Sequence, residues 1–140
     1  MYPEGQEILV VIDESGLRER VTRILSGEGF SITPAAEGLA ALRAASAKRF
    51  ALIVAKARLP GSLDGATTAR QMRVRQPWLK ALYLEDAGSR RDRGNPDSED
   101  FIILPFGRHE LIGCTFEMLQ RGTNSAADLA RRARTGLRAS

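Results

Sequence analysis

The chain has 140 residues, 43% of them hydrophobic, and a formal net charge of +4. This length suits one well-filled domain and is too short for two ordinary domains. The single cysteine, Cys114, excludes an internal disulfide and favours a cytoplasmic location, and no apolar run reaches the roughly 20 residues that a membrane-spanning helix needs. The polar, acidic first residues predict no secretory leader.

The excess positive charge lies at the C-terminal end of the sequence. Residues 1–120 carry 16 basic and 16 acidic side chains, whereas residues 121–140 carry five arginines against one aspartate. Because proteins that grip a duplex usually spread basic side chains over a face, nucleic acid is an unfavoured partner. We expect one domain over residues 1–120 and a basic tail over residues 121–140 that is helical or disordered.

Strand and helix patterns alternate along the chain. Short runs of β-branched residues predict buried strands, and apolar residues at helical spacing predict helices between them. The alternation predicts right-handed crossovers and a parallel sheet with helices on both faces. The predicted elements are, in chain order, strand 8–12, helix 16–28, strand 31–35, helix 37–48, strand 51–55, helix 65–75, strand 81–84, strand 101–104 and helix 109–119.

The segment between the last two strands differs from the other connections. Residues 86–100 contain Gly88, Gly94 and Pro96 and almost no apolar side chain. Such a segment can bury little surface, so it predicts a loop with at most one helical turn. Its cluster of Arg90, Arg91 and Arg93 indicates either a solvated loop or a docking point for an acidic partner.

Four motifs in this order resemble the receiver domains of two-component response regulators over residues 7–120. They are ILVVIDE at residues 8–14, RLPGSLDG at 58–65, the Gln76-Pro77 step before a strand, and LPF at 104–106. The resemblance implies an α/β, flavodoxin-like fold with a five-stranded parallel doubly wound sheet in the order 2-1-3-4-5 and a fourth helix that is shortened or absent here. It places the functional site at the carboxyl ends of the strands and implies a cis peptide bond before Pro105.

The chemistry of the family is transfer of a phosphoryl group from a histidine kinase to a carboxylate that ends the third strand. Two acids after the first strand hold Mg²⁺, a Ser or Thr ends the fourth strand, and a Lys ends the fifth. In this chain only Asp13 keeps a family role, and the resemblance therefore implies no phosphoryl acceptance, no catalysis, no metal and no cofactor. The residues at the family positions are Ile12 and Asp13 as the acid pair with Glu14 beside them, Lys56 as the phosphoacceptor position, Glu85 at the hydroxyl position and Leu104 at the lysine position.

Two interpretations of Lys56 remain open from the sequence. In the first, its ammonium group occupies roughly the volume of the metal and pairs with Asp13 or Glu85, so that removing one partner would cost about 3 to 5 kcal/mol if the pair is deeply buried. In the second, the site has drifted and Lys56 extends into solvent. Phe101, at the position of the family's aromatic switch residue, is either such a switch or an aromatic strand residue packed on a helix.

The leading functional hypothesis is a phosphorylation-independent receiver-like module of a bacterial two-component phosphorelay. It would be cytoplasmic and bind a protein partner, either a kinase, a regulator or an output domain, as a monomer or a homodimer. One alternative is a flavodoxin-like small-ligand-binding protein or enzyme, although the acids after the first strand replace a glycine-rich phosphate loop. Another is a DNA-binding regulator that uses the basic tail, which is too short for a helix-turn-helix of its own.

Overall fold

The computed structural model describes residues 6–87 and 98–121, and within these ranges it contains five strands and four helices. Each predicted element is present, with ends that differ from the predicted ones by a few residues. The elements are β1 Glu7–Val11, α1 Ser15–Ser26, β2 Ser31–Ala35, α2 Gly38–Ala47, β3 Leu52–Lys56, α3 Gly65–Met72, β4 Lys80–Glu85, β5 Glu99–Ile103 and α4 Arg108–Gln120.

The five strands form one parallel sheet in the order β2-β1-β3-β4-β5. This order confirms the predicted doubly wound topology. The central strands consist of apolar residues that are buried on both faces, as parallel sheets covered by helices require. The chain reverses its direction of winding between β1 and β3, and the carboxyl ends of these two strands therefore border the crevice where such folds bind ligands.

Two hydrophobic cores lie on opposite faces of the sheet, and strand alternation separates them. One face, represented by Val10, Val54 and Leu82, packs against α1 and α4. The other, represented by Leu9 and Ile53, packs against α2 and α3. Because successive strand residues point to opposite faces, each strand contributes side chains to both cores.

The turn from β3 into α3 is fixed by Asp64 and Gly65. The Asp64 carboxylate accepts a hydrogen bond of 2.8 Å from the Thr67 backbone N–H and so caps α3, as the predicted helix entry requires. A Cβ atom on Gly65 would lie 2.4 Å from the Lys56 carbonyl oxygen, so only glycine allows α3 to start this close to β3. The preceding Gly61 adopts a positive φ of 85° in the turn itself.

The buried side chain of Gln76 ties three segments together. Its Oε1 accepts a hydrogen bond of 2.8 Å from the Phe50 backbone N–H, while its Nε2 donates to the carbonyl oxygens of Ala45 and Lys48 at 3.1 and 3.0 Å. The end of α2, the start of β3 and the end of α3 are therefore held by one side chain, which explains why a glutamine precedes Pro77 at this step.

The predicted cis peptide bond between Leu104 and Pro105 is confirmed. The predicted loop between β4 and β5 falls largely on residues 88–97, which lie outside the described residues, as do its three arginines and the tail beyond residue 121. Arg121 itself is tied to the domain, since its Nη2 lies 2.8 Å from Asp100 Oδ2 and 3.1 Å from Glu117 Oε1. No helix within the described ranges has the length and apolar character needed to cross a bilayer.

Candidate functional site

The candidate site lies at the carboxyl edge of the sheet, where the ends of β1, β3, β4 and β5 meet. Ile12 follows β1, is fully buried, and donates a backbone hydrogen bond of 3.0 Å to the Ala35 carbonyl oxygen. Asp13 and Glu14 follow it and are exposed in the loop before α1. The first acid position of the family is thus filled by an apolar side chain that belongs to the core.

Lys56 is the last residue of β3, and its ammonium group pairs with Asp86 rather than with the acids predicted from the sequence. Lys56 Nζ lies 3.7 Å from Asp86 Oδ1, and the two side chains are 16% and 60% exposed. The predicted pairing with Asp13 or Glu85 is therefore wrong, and so is the alternative in which Lys56 extends freely into solvent. The pair is half solvated, so its contribution to stability is small.

Strand alternation explains why Asp86 is the partner. Lys56 stands opposite Leu84 in the register of β3 and β4, so both side chains point to the face covered by α1 and α4. Glu85 is one residue further along β4 and shares the opposite face with Tyr83, where it is only 5% exposed. Asp86 follows Glu85 on the Lys56 side of the sheet.

A second cation lies at this edge, Arg18 of α1, and its role was not predicted from the sequence. Its Nη1 donates hydrogen bonds to the carbonyl oxygens of Ile12 at 2.8 Å and Asp13 at 3.3 Å. The signal was present, because Arg18 lies one helical turn after Glu14 and its long side chain can reach back to the end of β1. The guanidinium group fixes the backbone that carries Asp13.

Glu85 and Leu104 are adjacent across the ends of β4 and β5. The Leu104 backbone N–H donates a hydrogen bond of 2.7 Å to the Glu85 carbonyl oxygen. The Leu104 side chain is half-buried against the core on the α1 and α4 face. The position at which the family carries a lysine therefore contributes to packing here and brings no charge to the edge.

Phe101 packs against Tyr83, its neighbour across β4 and β5, with ring centroids 5.3 Å apart. The interpretation of Phe101 as a packing residue fits this contact, although its partner is a strand residue and not a helix. The Tyr83 hydroxyl donates a hydrogen bond of 3.0 Å to Glu99 Oε2, which also lies 3.0 Å from Arg73 Nη1. Burial, reinforced by the negative charge of Glu99, raises the pKa of Tyr83 above its usual range.

The residues at this edge do not fit the Mg²⁺ ion that the family holds. Mg²⁺ needs several oxygen ligands in octahedral geometry. Here the first acid position is the buried Ile12, and the phosphoacceptor position holds the cation Lys56. Within residues 6–87 and 98–121, no group of three acidic, histidine or cysteine side chains is arranged to hold a metal. We therefore assign no metal-dependent step to this edge.

Two bacterial regulatory proteins are among the known proteins to which the chain is similar. The chain is 34% identical over 119 residues to the response regulator MprA of Mycolicibacterium vanbaalenii, covering 83% of this chain and 51% of that protein. It is 29% identical over 121 residues to the transcriptional regulatory protein TcrA of Mycobacterium tuberculosis, covering 84% and 47%. The chain thus spans about half the length of the curated relatives that it matches.

The fold and the family model agree with these relatives. A response regulator receiver protein from Sinorhizobium medicae superposes with a TM-score of 0.73 at 24% identity, covering 83% of this chain and 95% of that one. The family model described as the response regulator receiver domain matches residues 8–113. This chain therefore belongs to the response regulator receiver domain family.

Proposed function

We propose that the chain is a receiver-like module of a two-component system that signals without being phosphorylated, by binding another protein. The observation that carries this proposal is Lys56 at the end of β3, where the family has its phosphoacceptor aspartate. A lysine side chain has no carboxylate oxygen and so forms no acyl phosphate. Its ammonium group is already engaged with Asp86 at 3.7 Å.

The surrounding side chains support the same proposal because each lacks what phosphoryl transfer needs. A transferring phosphoryl group requires cations or donors placed around its oxygens. At the end of β4 a buried Glu85 stands where a hydroxyl would donate, and after β5 Leu104 stands where a lysine would neutralise charge. At these two positions an incoming phosphoryl group would meet a carboxylate in place of a hydroxyl and an apolar side chain in place of a cation.

The proposed partners are proteins of a two-component pathway, either a kinase, a regulator or an output domain, and the proposed location is the cytoplasm. Relatives twice as long as this chain include a transcriptional regulatory protein, which supports a role in regulating an output. Catalysis by the chain itself is not part of the proposal. No contact among residues 6–87 and 98–121 favours a role as a small-ligand-binding enzyme or as a DNA-binding protein.

Beryllium fluoride with Mg²⁺, which mimics an acyl phosphate, tests the proposal by NMR. We expect the backbone amide signals of residues 12–14, 56–58 and 85–87 to stay unchanged when the mixture is added to the full chain. A receiver that carries all five family groups, treated in the same buffer, should show large shifts at its strand ends. Saturable shifts in this chain that disappear in Asp13→Asn would overturn the proposal, since they would locate a working acidic site at Asp13.

A further inference from the structure

Within residues 1–120, whose net charge is zero, the charged side chains are unevenly distributed. Residues 6–37 hold six acids and three arginines, whereas residues 38–84 hold nine basic side chains and the single acid Asp64. The second segment comprises α2, β3, α3 and most of β4. Although the charges of residues 1–120 sum to zero, the layer formed by α2 and α3 is therefore basic.

Several of these cations form ion pairs, and three others are exposed on or just beyond α2 and α3. Arg73 pairs with Glu99, and Lys48 pairs with Glu7. In contrast, Arg43, Arg70 and Arg75 are exposed, and none of them forms an ion pair with another residue of the described ranges, 6–87 and 98–121. This layer therefore presents exposed arginines that form no ion pair among the described residues.

A groove of about 410 Å³ lies between the C-terminal halves of α2 and α3, with Arg75 in its lining. Leu42 and Ala45 of α2 line one side, and Met72 and Val74 line the other, with Arg75 also at the groove. Val74 lies two residues beyond the end of α3, and this β-branched apolar side chain is 81% exposed. An apolar groove with an arginine in its lining and Arg43 exposed on the adjacent helix α2 has the composition of a protein-binding patch.

We propose that this groove, defined by Leu42, Ala45, Met72, Val74 and Arg75, binds an acidic amphipathic helix of a partner protein. The apolar side of such a helix would cover Val74 and Leu42, while its carboxylates would face Arg43 and Arg75. The proposal rests on the proposed function, because it names the surface by which an unphosphorylated module would bind protein.

Charge and chemistry distinguish this occupant from the others that the groove could accept. The tail of this chain, residues 122–140, carries four arginines against one aspartate and would be repelled by the basic layer. Nucleic acid is held chiefly through its phosphates and gains little from an apolar centre such as Leu42 and Val74. Two of the exposed acids that a second copy could offer stand beside arginines, Glu19 beside Arg20 in α1 and Glu117 beside Arg121 at the end of α4.

Fluorescence anisotropy with the full chain at low salt tests the proposal. The probe is a labelled helical peptide with glutamates on one face and leucines on the other. Two comparison peptides replace either every glutamate by lysine or every leucine by alanine. We expect saturable binding of the first peptide and binding at least about tenfold weaker for each of the others, since the groove uses both charge and apolar contact.

Variants locate the binding on the molecule. The double variant Arg43→Glu with Arg75→Glu, and separately Val74→Glu, should each weaken binding of the glutamate–leucine peptide about tenfold or more. All three side chains are exposed, so the variants should keep the circular dichroism spectrum of the parent. Arg23→Glu on α1 is the matched control, because it reverses an exposed arginine on the other helical layer, and it should change the affinity less than twofold.

Four results would overturn the proposal. The first is the absence of saturable peptide binding, and the second is equal weakening by Arg23→Glu. The third is displacement of the peptide by a short DNA duplex whose own binding depends on Arg43 and Arg75, which would make the layer a nucleic-acid surface. The fourth is a dimer in sedimentation that Val74→Glu dissociates, which would make a second copy the occupant. No phosphoryl donor is present in these assays, so the peptide result and the beryllium fluoride result can fail independently.

Discussion

At the carboxyl edge of the sheet, Lys56, Glu85 and Leu104 stand where receivers carry an aspartate, a hydroxyl and a lysine. Gly65 lies directly behind that edge, where only glycine allows α3 to approach β3 so closely. Gln76 lies at the opposite edge of the sheet, where β3 begins, and its side chain forms three hydrogen bonds that join α2, β3 and the end of α3. We infer that the edge lacks the groups that phosphoryl transfer requires, whereas Gly65 and Gln76 supply the close approach and the hydrogen bonds that packing requires. The comparison indicates that this fold needs its turn and its buried glutamine whether or not a phosphoryl group is ever transferred.

The largest expected effect is at Gly65, where α3 begins next to the end of β3. Gly65→Ala places a Cβ atom 2.4 Å from the Lys56 carbonyl oxygen, and because that atom is backbone, α3 must move away from β3. We expect a loss of about 2 to 3 kcal/mol in the free energy of unfolding, measured by urea denaturation. Gly16→Ala is the control, since nothing lies within 4 Å of its added Cβ. Equal stability of the two variants would show that the close approach does not constrain the turn.

The second effect is at Gln76. Gln76→Ala removes three hydrogen bonds and leaves the buried Phe50 N–H without its acceptor, so we expect a loss of about 2 kcal/mol. The exposed Gln71 of α3 is the matched control, and Gln71→Ala should change the free energy of unfolding by less than about 0.5 kcal/mol. If both substitutions had the same effect, the junction between α2, β3 and α3 would not depend on this side chain.

The sequence was sufficient for most of the fold because the apolar pattern and the special turn residues both point to the same topology. The runs at residues 8–12 and 51–55 predicted buried strands, and the spacing of Val21, Ile24 and Leu25 predicted the buried face of α1, which the structure confirms. These signals are local in the sequence, so they can be recognised without knowing which elements pack together.

The partners at the site could not be predicted in the same way, because they depend on the register between strands. Glu85 and Asp86 are neighbours in sequence, and a shift of one residue in the end of β4 decides which one faces Lys56. The basic layer was missed for a different reason. Summing charge over residues 1–120 averaged an acidic segment with a basic one, whereas the fold places Arg43 of α2 and Arg75 beyond α3 on one side of the sheet.

A third, smaller effect is expected at Tyr83, the neighbour of Phe101 across β4 and β5. Tyr83→Phe removes the hydrogen bond to Glu99 and should cost about 1 kcal/mol at pH 7. The pKa of Tyr83 is raised in the folded state, so its contribution is complete below the unfolded pKa of about 10 and declines as pH rises beyond it.

Comparing unfolding of the parent and Tyr83→Phe at pH 7 and above pH 10 therefore measures this contribution. The advantage of the parent over the variant should shrink at the higher pH. An advantage that grows with pH would contradict the assigned direction of the pKa shift, because it would mean that the folded state favours the ionised phenol.

The smallest effect is expected at Lys56, at the edge. Since Asp86 is 60% exposed, the pair is screened by solvent, and Lys56→Met should change the free energy of unfolding by less than about 1 kcal/mol. A double-mutant cycle with Asp86→Asn should give a coupling energy below about 0.5 kcal/mol. A loss of about 3 to 5 kcal/mol for Lys56→Met would instead reveal a deeply buried internal lock at this edge.

The central claim, that this receiver carries no phosphoryl group, is tested most directly by intact-mass spectrometry. The full chain is incubated with acetyl phosphate and Mg²⁺ beside a receiver that has all five family groups. We expect the control to gain the mass of one phosphoryl group while this chain keeps its original mass. A hydroxylamine-sensitive phosphoryl adduct on this chain that is lost in Asp13→Asn would contradict this claim.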